Sequence, residues 1–517
     1  METKIEMEVL NDNQGNLIGG GLVRLKPVSF FEGKELIDYL THGVNSCIDG
    51  LKERISDYDG RLLFDTWFHF VRQIEEFINI TLELGEPCEE EFKQICLIRL
   101  CELKKISTTV DKAFGPDVAA RFLDLADMFK GYTSFDFNGK QTDDCLETLY
   151  DLLIFLRARR LHIMTILNLV PIWAQGNIPF SREDIPNKMN EWVGFLMNIT
   201  TGCQAIVEAK CLPGFYGKKF LSGRMEFSHQ YTHLDKNYLE PQQLTPVELE
   251  QYRNDRLGKR EAKKECSICS KEEYELTMQN EKAYNERYGI TEKEGYKELM
   301  AFMDEMKNYF KDDYLIEVPQ KEFERLCRSY GNLELHKVTE DFDDIENSRY
   351  GFVKMDGMYY STYFMLIRYY TNTVMKMLRR RRRYQIESGF VFEDQVKEVV
   401  RRFGFEVQDD CKRIERKEFD VVCIKDGTIY NFQCKNNYIN VSTIGVKETT
   451  ETCRRNNQLV SYYKAALRKE ECRENLLKKK LGVDKVKHFV ISRYPIISDN
   501  KRIIPFNGLD LWCAALN

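Results

Sequence analysis

Histidine and tryptophan are scarce in this 517-residue chain, at seven and four residues. The histidines stand in no recognisable Ser-His-Asp arrangement, which removes the base that a serine-hydrolase triad requires. No apolar run is long enough for a bilayer: the most apolar, Leu161 to Trp173, covers about 13 residues and reads as a buried helix. The opening METKIEMEVLNDNQ has no basic stretch followed by an apolar core, so no secretory signal is expected. Sixteen cysteines are scattered without the spacing of a disulfide framework. They read as reduced thiols of a cytoplasmic protein, several of them in the core. Gly19-Gly20-Gly21 is not followed by Gly-Lys-Ser/Thr, so it is a turn or bulge and no phosphate loop. There is no internal repeat and no long low-complexity tract.

What is present fits a folded chain of about three domains, with 43% hydrophobic and 31% charged residues. The net charge of −6 hides an uneven distribution. From Arg379 onward there are 29 Lys and Arg against 19 Asp and Glu, while the rest holds 47 against 63. A basic segment on an acidic body suggests that the final segment meets a polyanion, and nucleic acid is the expected partner. No membrane contact is expected.

Four segments follow from the patterning. Residues 1–29 suggest a β-hairpin, IEMEVL and GLVRLKPV alternating around a polar turn. Residues 30–212 carry apolar residues at helical spacing, as in LFDTWFHFVRQIEEFINITLEL and CLETLYDLLIFLRARRL. Pro171, Pro179 and Pro186 suggest loops there, and Pro213-Gly214 marks a boundary. Residues 213–378 are a charged helical domain or connector, ending in an aromatic helix expected over Met358 to Leu378. Residues 379–517 begin with Arg379, Arg380, Arg381, Arg382 and Arg383. That run reads as a helix terminus where cations favour the dipole, as a phosphate-contacting strip, or as a nuclear import signal.

The chemistry concentrates in EFDVVCIKDGTIYNFQCKNN. Two apolar strands meet at Asp426-Gly427, a strong signal for a two-residue hairpin turn. That turn sets Lys425 against Thr428, Ile424 against Ile429 and Asp420 against Gln433. Side chains alternate with period two, so Lys435 shares a face with Asp420 and Gln433, and Val421, Cys423, Phe432 and Cys434 occupy the apolar face. Upstream, Phe392, Val396, Val399, Val400 and Phe403 form a helical stripe stopped by Gly404, and Glu393 borders it. A carboxylate there is costly without a partner. The remaining order is a strand at Phe405 to Gln408, the hairpin, a helix near Val446 to Lys469 and a strand near Lys487 to Arg493.

These pieces, GFVFE around Glu393, EFD ending at Asp420 and QCK from Gln433 to Lys435, resemble the PD-(D/E)XK nuclease superfamily, in its Mrr-like restriction endonuclease branch. The resemblance covers about 130 residues from Ile386 onward. The Pro-Asp dipeptide is replaced by Phe419-Asp420, and Gln433 stands where most members have Glu or Asp, as in Mrr-like members. The patterning gives an α+β multidomain chain with a large, mostly helical N-terminal body, and the resemblance implies a C-terminal restriction-endonuclease-like domain. That domain would hold a mixed four-stranded sheet flanked by helices, in the order αβββαβ. It further implies a Mg²⁺-dependent endonuclease, with Mn²⁺ as substitute, acting on DNA in defence against foreign DNA. Asp420, Gln433 and Glu393 would hold the metal and Lys435 would act on the attacking water or the transition state. Arg379 to Arg383, Arg454 and Gln458 are candidate nucleic-acid contacts. Two alternatives stay open, an inactive nucleic-acid-binding module and an RNA-cleaving nuclease. A homodimer, and an activator or partner protein acting on the helical body, are compatible with the chain.

His229, His233, Cys266 and Cys269 could form a four-ligand zinc site. The long gap between the pairs and the single CxxC argue instead for lone thiols on an exposed segment.

Overall fold

The computed structural model describes residues 28–84, 97–130, 133–135, 141–221, 223, 225–228, 245, 246, 249, 271–342, 345, 349–437 and 449–516. The N-terminal hairpin strands, the triple glycine and the four candidate zinc ligands lie outside them. The chain is α+β: a large helical body accompanied by several small sheets. Among the described residues no helix is long and apolar enough to cross a membrane.

The body is built on long helices. In α1 (Gly33–Ser56), Leu36, Leu40, Val44, Leu51 and Ile55 recur on one buried face. Helix α2 (Gly60–Leu84) carries the tryptophan and phenylalanines expected of its apolar stripe. Helix α3 (Leu149–Trp173) opens on a capping box between Thr148 and Asp151, which satisfies two otherwise orphaned donors. It contains the apolar run beginning at Leu161, buried as expected. Helix α4 (Ile185–Cys211) packs along α1. The approach is close: a Cβ at Gly202 would stand 2.5 Å from Val44 Cγ2. Two prolines expected in loops lie in helices, Pro171 near the end of α3 and Pro186 in the first turn of α4. Proline is tolerated in a first turn because its missing N–H has no intrahelical partner there.

The charged region folds into helices at Lys271–Glu286, Glu294–Glu305 and Gln320–Ser329. Buried Tyr274, Tyr296, Leu299, Phe302 and Phe323 anchor them. The expected helix over Met358 to Leu378 is shorter. Met358–Thr362 is a strand between Leu315–Pro319 and Val353–Met355, and α5 is Tyr363–Leu378. Asp356-Gly357 makes the turn that returns the chain onto that strand, both residues at positive φ. Thr362 caps the helix, accepting from Met365 N. One apolar core runs from Leu36 to Leu378 and also takes in Val391, Cys453 and Ile497.

A short turn then leads into α6 (Arg382–Arg402), which carries Glu393. Its buried residues include Phe392, Val396, Val399 and Val400, and the chain turns at Gly404 with φ +78. The sheet behind it has five strands, one more than expected: β1 (Glu406–Val407), β2 (Val421–Lys425), β3 (Thr428–Lys435), β4 (Lys485–Ser492) and β5 (Ile503–Pro505). Their order is β5-β4-β3-β2-β1. The pairs β1–β2 and β2–β3 are antiparallel, β3–β4 and β4–β5 parallel. Three-residue β5 is too short to show an alternating pattern. Helix α7 (Thr449–Glu471) links β3 to β4 and is followed by α8 (Glu474–Leu481), and α9 (Leu509–Ala514) closes the chain.

Both sheet faces are covered. Val421, Cys423, Phe432 and Ile491 join the stripe of α6 and Leu509 and Cys513 of α9. On the other face Val490 and Ile503 pack on Val460, Tyr463 and Leu467 of α7, and Val422 and Ile429 pack on Leu477 of α8.

Candidate active site

The hairpin has the register its turn requires. Lys425 pairs with Thr428 and Ile424 with Ile429, continuing to Val421 opposite Phe432. Asp426 and Gly427 both have positive φ, +47 and +66, as a type I′ turn demands. One residue beyond the last paired position, Asp420 meets Gln433 across the strands. Its Oδ2 accepts from the Gln433 side-chain amide and from Cys434 N, the latter at 2.8 Å. The carboxylate is thereby pinned to the strand carrying Lys435.

Burial raises the Asp420 pKa, while Lys435, the Gln433 amide and the Cys434 N–H counter the rise. Lys435 is half-buried, and its Nζ stands 5.9 Å from the ring centre of Tyr462 on α7. Its head thus sits on the Asp420 face, outside the apolar layer. Cys434 takes the opposite direction and packs against the α6 stripe.

Glu393 approaches from α6. Its side chain is 12% exposed, and Oε2 accepts from Lys412 Nζ at 3.1 Å. Burial first, and the nearby Asp420 charge second, push its pKa up to about 7 against the pull of Lys412. Two carboxylates, an amide and an ammonium therefore share one electrostatic neighbourhood at the end of the hairpin. Among the described residues no three His, Cys, Asp or Glu side chains are grouped to hold a metal ion. Any cation here would draw on the Gln433 carbonyl and on outside oxygen atoms.

Beneath the site lies a buried polar network without a sequence signature. Asn431 Nδ2 donates to Glu470 Oε2 at 2.9 Å and stands 3.1 Å from His488 Nδ1. Arg473 makes two bonds to Glu470 and lies over the Phe419 ring at 4.5 Å. The Glu470 charge adds to the upward pressure on Asp420. Along the site edge, Asn436 Nδ2 donates to Ser388 Oγ at 2.9 Å, and Arg493 N donates to Lys435 O at 2.9 Å.

The expected nucleic-acid contacts divide. Arg379 caps α5, and Arg381 and Arg383 donate to the carbonyls of Gly289 and Arg287. Those two bonds fasten the start of α6 to the body, and Arg383 also pairs with Glu387 within the helix. Arg380 and Arg382 are exposed. On α7, Arg454 is exposed and stands 3.8 Å from Glu451, and Gln458 is exposed. No described contact brings Arg454 or Gln458 to Asp420. From α7, Tyr462, one turn beyond Gln458, lies beside Lys435, and Glu470 acts on Asp420 through its charge.

Comparison of the chain with protein-family models, with curated proteins and with solved structures finds no match.

Proposed function

We propose that this chain is a metal-dependent endonuclease, hydrolysing phosphodiester bonds with its C-terminal α/β segment. The observation that carries the reading is the hairpin register that sets Asp420 against Gln433 and beside Lys435, with Glu393 of α6 within reach of the Asp420 charge. Two shielded carboxylates, both with raised pKa values, would be relieved by a bound divalent cation. The donor set fits a hard cation: Asp420 and Glu393 supply carboxylate oxygens and Gln433 its amide carbonyl. Magnesium, when bound, lowers the pKa of water and offsets charge on a phosphate.

The chain's own groups have separate tasks in this reading. The Cys434 N–H fixes the Asp420 rotamer. Lys435 holds a positive charge beside Asp420, where it can donate to a water or a phosphate oxygen. Glu393, near neutrality, changes protonation over the working range and sets the charge of the site. The excess of basic residues after Arg379 favours a polyanionic substrate, and DNA is the substrate we propose.

One observation favours a second reading. Asp420 Oδ2 and Glu393 Oε2 each already accept from an internal donor, as in a polar pairing of purely structural role. The chain would then bind nucleic acid without cutting it. Incubation with plasmid DNA, linear DNA and RNA, in magnesium, manganese or chelator, separates the readings. Metal-dependent cleavage lost in Asp420→Ala and Lys435→Ala supports the nuclease. Salt-sensitive binding without cleavage, unchanged in both variants, supports the binding module.

A further inference from the structure

Helix α6 presents more than Glu393. Three and seven residues before it, and on a face exposed to solvent, Phe390 is 48% exposed and 45% of Ile386 is accessible. Neighbouring exposed apolar side chains that line one cleft form a patch of the kind that marks a binding surface. They line a cleft of about 730 Å³, together with Val391, Arg382, Arg383 and Arg287. Arg287 and Arg383 are answered by Glu387, and Asp394 on the rim by Lys397. Arg382 is exposed and has no ion-pair partner among the described residues. The cleft is therefore apolar in its floor and positive at one edge.

The ring of Phe390 is joined to the candidate site by one cation. Lys412 Nζ stands 4.4 Å from its centre and 3.1 Å from Glu393 Oε2. From the opposite face of the sheet, Tyr462 repeats the arrangement. It is 53% exposed, and Lys435 Nζ lies 5.9 Å from its ring. Two accessible rings, each beside a site cation, thus flank the Glu393–Asp420 cluster from different helices.

We infer that the site takes single-stranded nucleic acid, with one base seated against Phe390 in the cleft and another stacked on Tyr462. The inference rests on the nuclease reading above and narrows its substrate class. Unpaired bases offer flat apolar faces to aromatic rings, whereas the faces in a duplex are already stacked on one another. Arg382 and Lys412 would meet the backbone between the stacked bases, and neither ring reads a base edge, so little sequence preference follows.

The test uses the full chain in chelator, so that binding is read without cutting. Fluorescence anisotropy is measured with a labelled single-stranded DNA, its RNA counterpart and the DNA duplex of the same sequence. Single strands should bind at least about tenfold more tightly than duplex, with Phe390→Ala and Tyr462→Ala each losing about tenfold on single strands and little on duplex. Phe390→Tyr, which keeps a stacking face, should retain the affinity, and the DNA and RNA arms show which strand is preferred. Equal or tighter duplex binding, or unchanged single-strand affinity in Phe390→Ala, overturns the inference. If duplex is bound and cut in magnesium, the nuclease reading survives and only the strand preference falls. If no nucleic acid binds at low salt, both fall together.

Discussion

The backbone N–H of Cys434 donates to Asp420 Oδ2 at 2.8 Å. This bond ties the residue just before β2 to the strand bearing Gln433 and Lys435, so the polar cluster moves as one unit with the hairpin. Asp420→Asn and Lys435→Met should preserve the fold and lower magnesium-dependent cleavage by about a hundredfold or more. Plasmid-nicking rates beside thermal melts check this; a full rate in either variant ends the assignment.

Glu393 supplies a pH signature. Its pKa stands near 7, raised by burial and by Asp420 and held down by Lys412. Below that pH the carboxyl keeps its proton and is a poor metal ligand. Cleavage at limiting magnesium should therefore rise as pH increases through about 7 and level off above it. Glu393→Gln should abolish the step, and Lys412→Met should move it to higher pH. A Glu393→Gln enzyme with an unchanged profile would show that another group titrates.

Gln433 tunes the charge of the site. Gln433→Glu adds a negative ligand, so half-maximal activity should need several-fold less magnesium. Without metal the new carboxylate faces Asp420 with 8% of its position exposed, so the melting temperature in chelator should drop and recover with magnesium. Melts at graded magnesium measure both effects. A variant more stable in chelator than the native chain contradicts the charge argument.

Arg473 supports the site from below. Glu470 is 1% exposed and takes both bonds that Arg473 offers it. Arg473→Met takes the cation from that carboxylate, leaving it the Asn431 amide, and should cost about 3–5 kcal/mol in urea unfolding. Adding Glu470→Gln should recover part of the loss. Equal stability of the single variant and the native chain would mean that water reaches Glu470.

Glu75 gives the helical body its own pH dependence. Burial raises it from the ordinary 4.5 to about 7, opposed by Arg160, Arg368 and the Thr362 hydroxyl. The folded chain takes up this proton as pH falls through about 7, and the unfolded chain only near the ordinary value. Its contribution is therefore full below the ordinary value, declines between the two and is lost as pH rises past about 7. The stability of Glu75→Gln relative to the native chain should be greater at about pH 8 than at about pH 5.5. Melting temperatures at both pH values decide it, and a difference that does not change with pH removes Glu75 as the source.

Part of the architecture was legible in local chemistry. The Asp426-Gly427 turn and the apolar alternation around it specify the β2–β3 register, which the pairing follows residue by residue. The stripe Phe392, Val396, Val399 and Val400 specified the buried face of α6. The Met358–Thr362 strand has no local signature, because an aromatic run fits either period and the two neighbouring strands that select the extended form are far away or very short. The charge of the arginine run is plain in the sequence, but its use against residues 287 to 289 depends on where a distant turn comes to rest.

The sequence by itself therefore determined that Asp420, Gln433 and Lys435 share one face, because a two-residue turn and a two-residue side-chain period leave no other register. Only the tertiary structure decided what surrounds them: Lys412 on Glu393, Glu470 and Arg473 below, Phe390 and Tyr462 at the sides. Those neighbours arrive from separate helices and loops, and their meeting is set by how the two sheet faces are covered. The electrostatics of the site follow from that packing, since burial and charges brought in from afar raise the pKa values of Glu393 and Asp420.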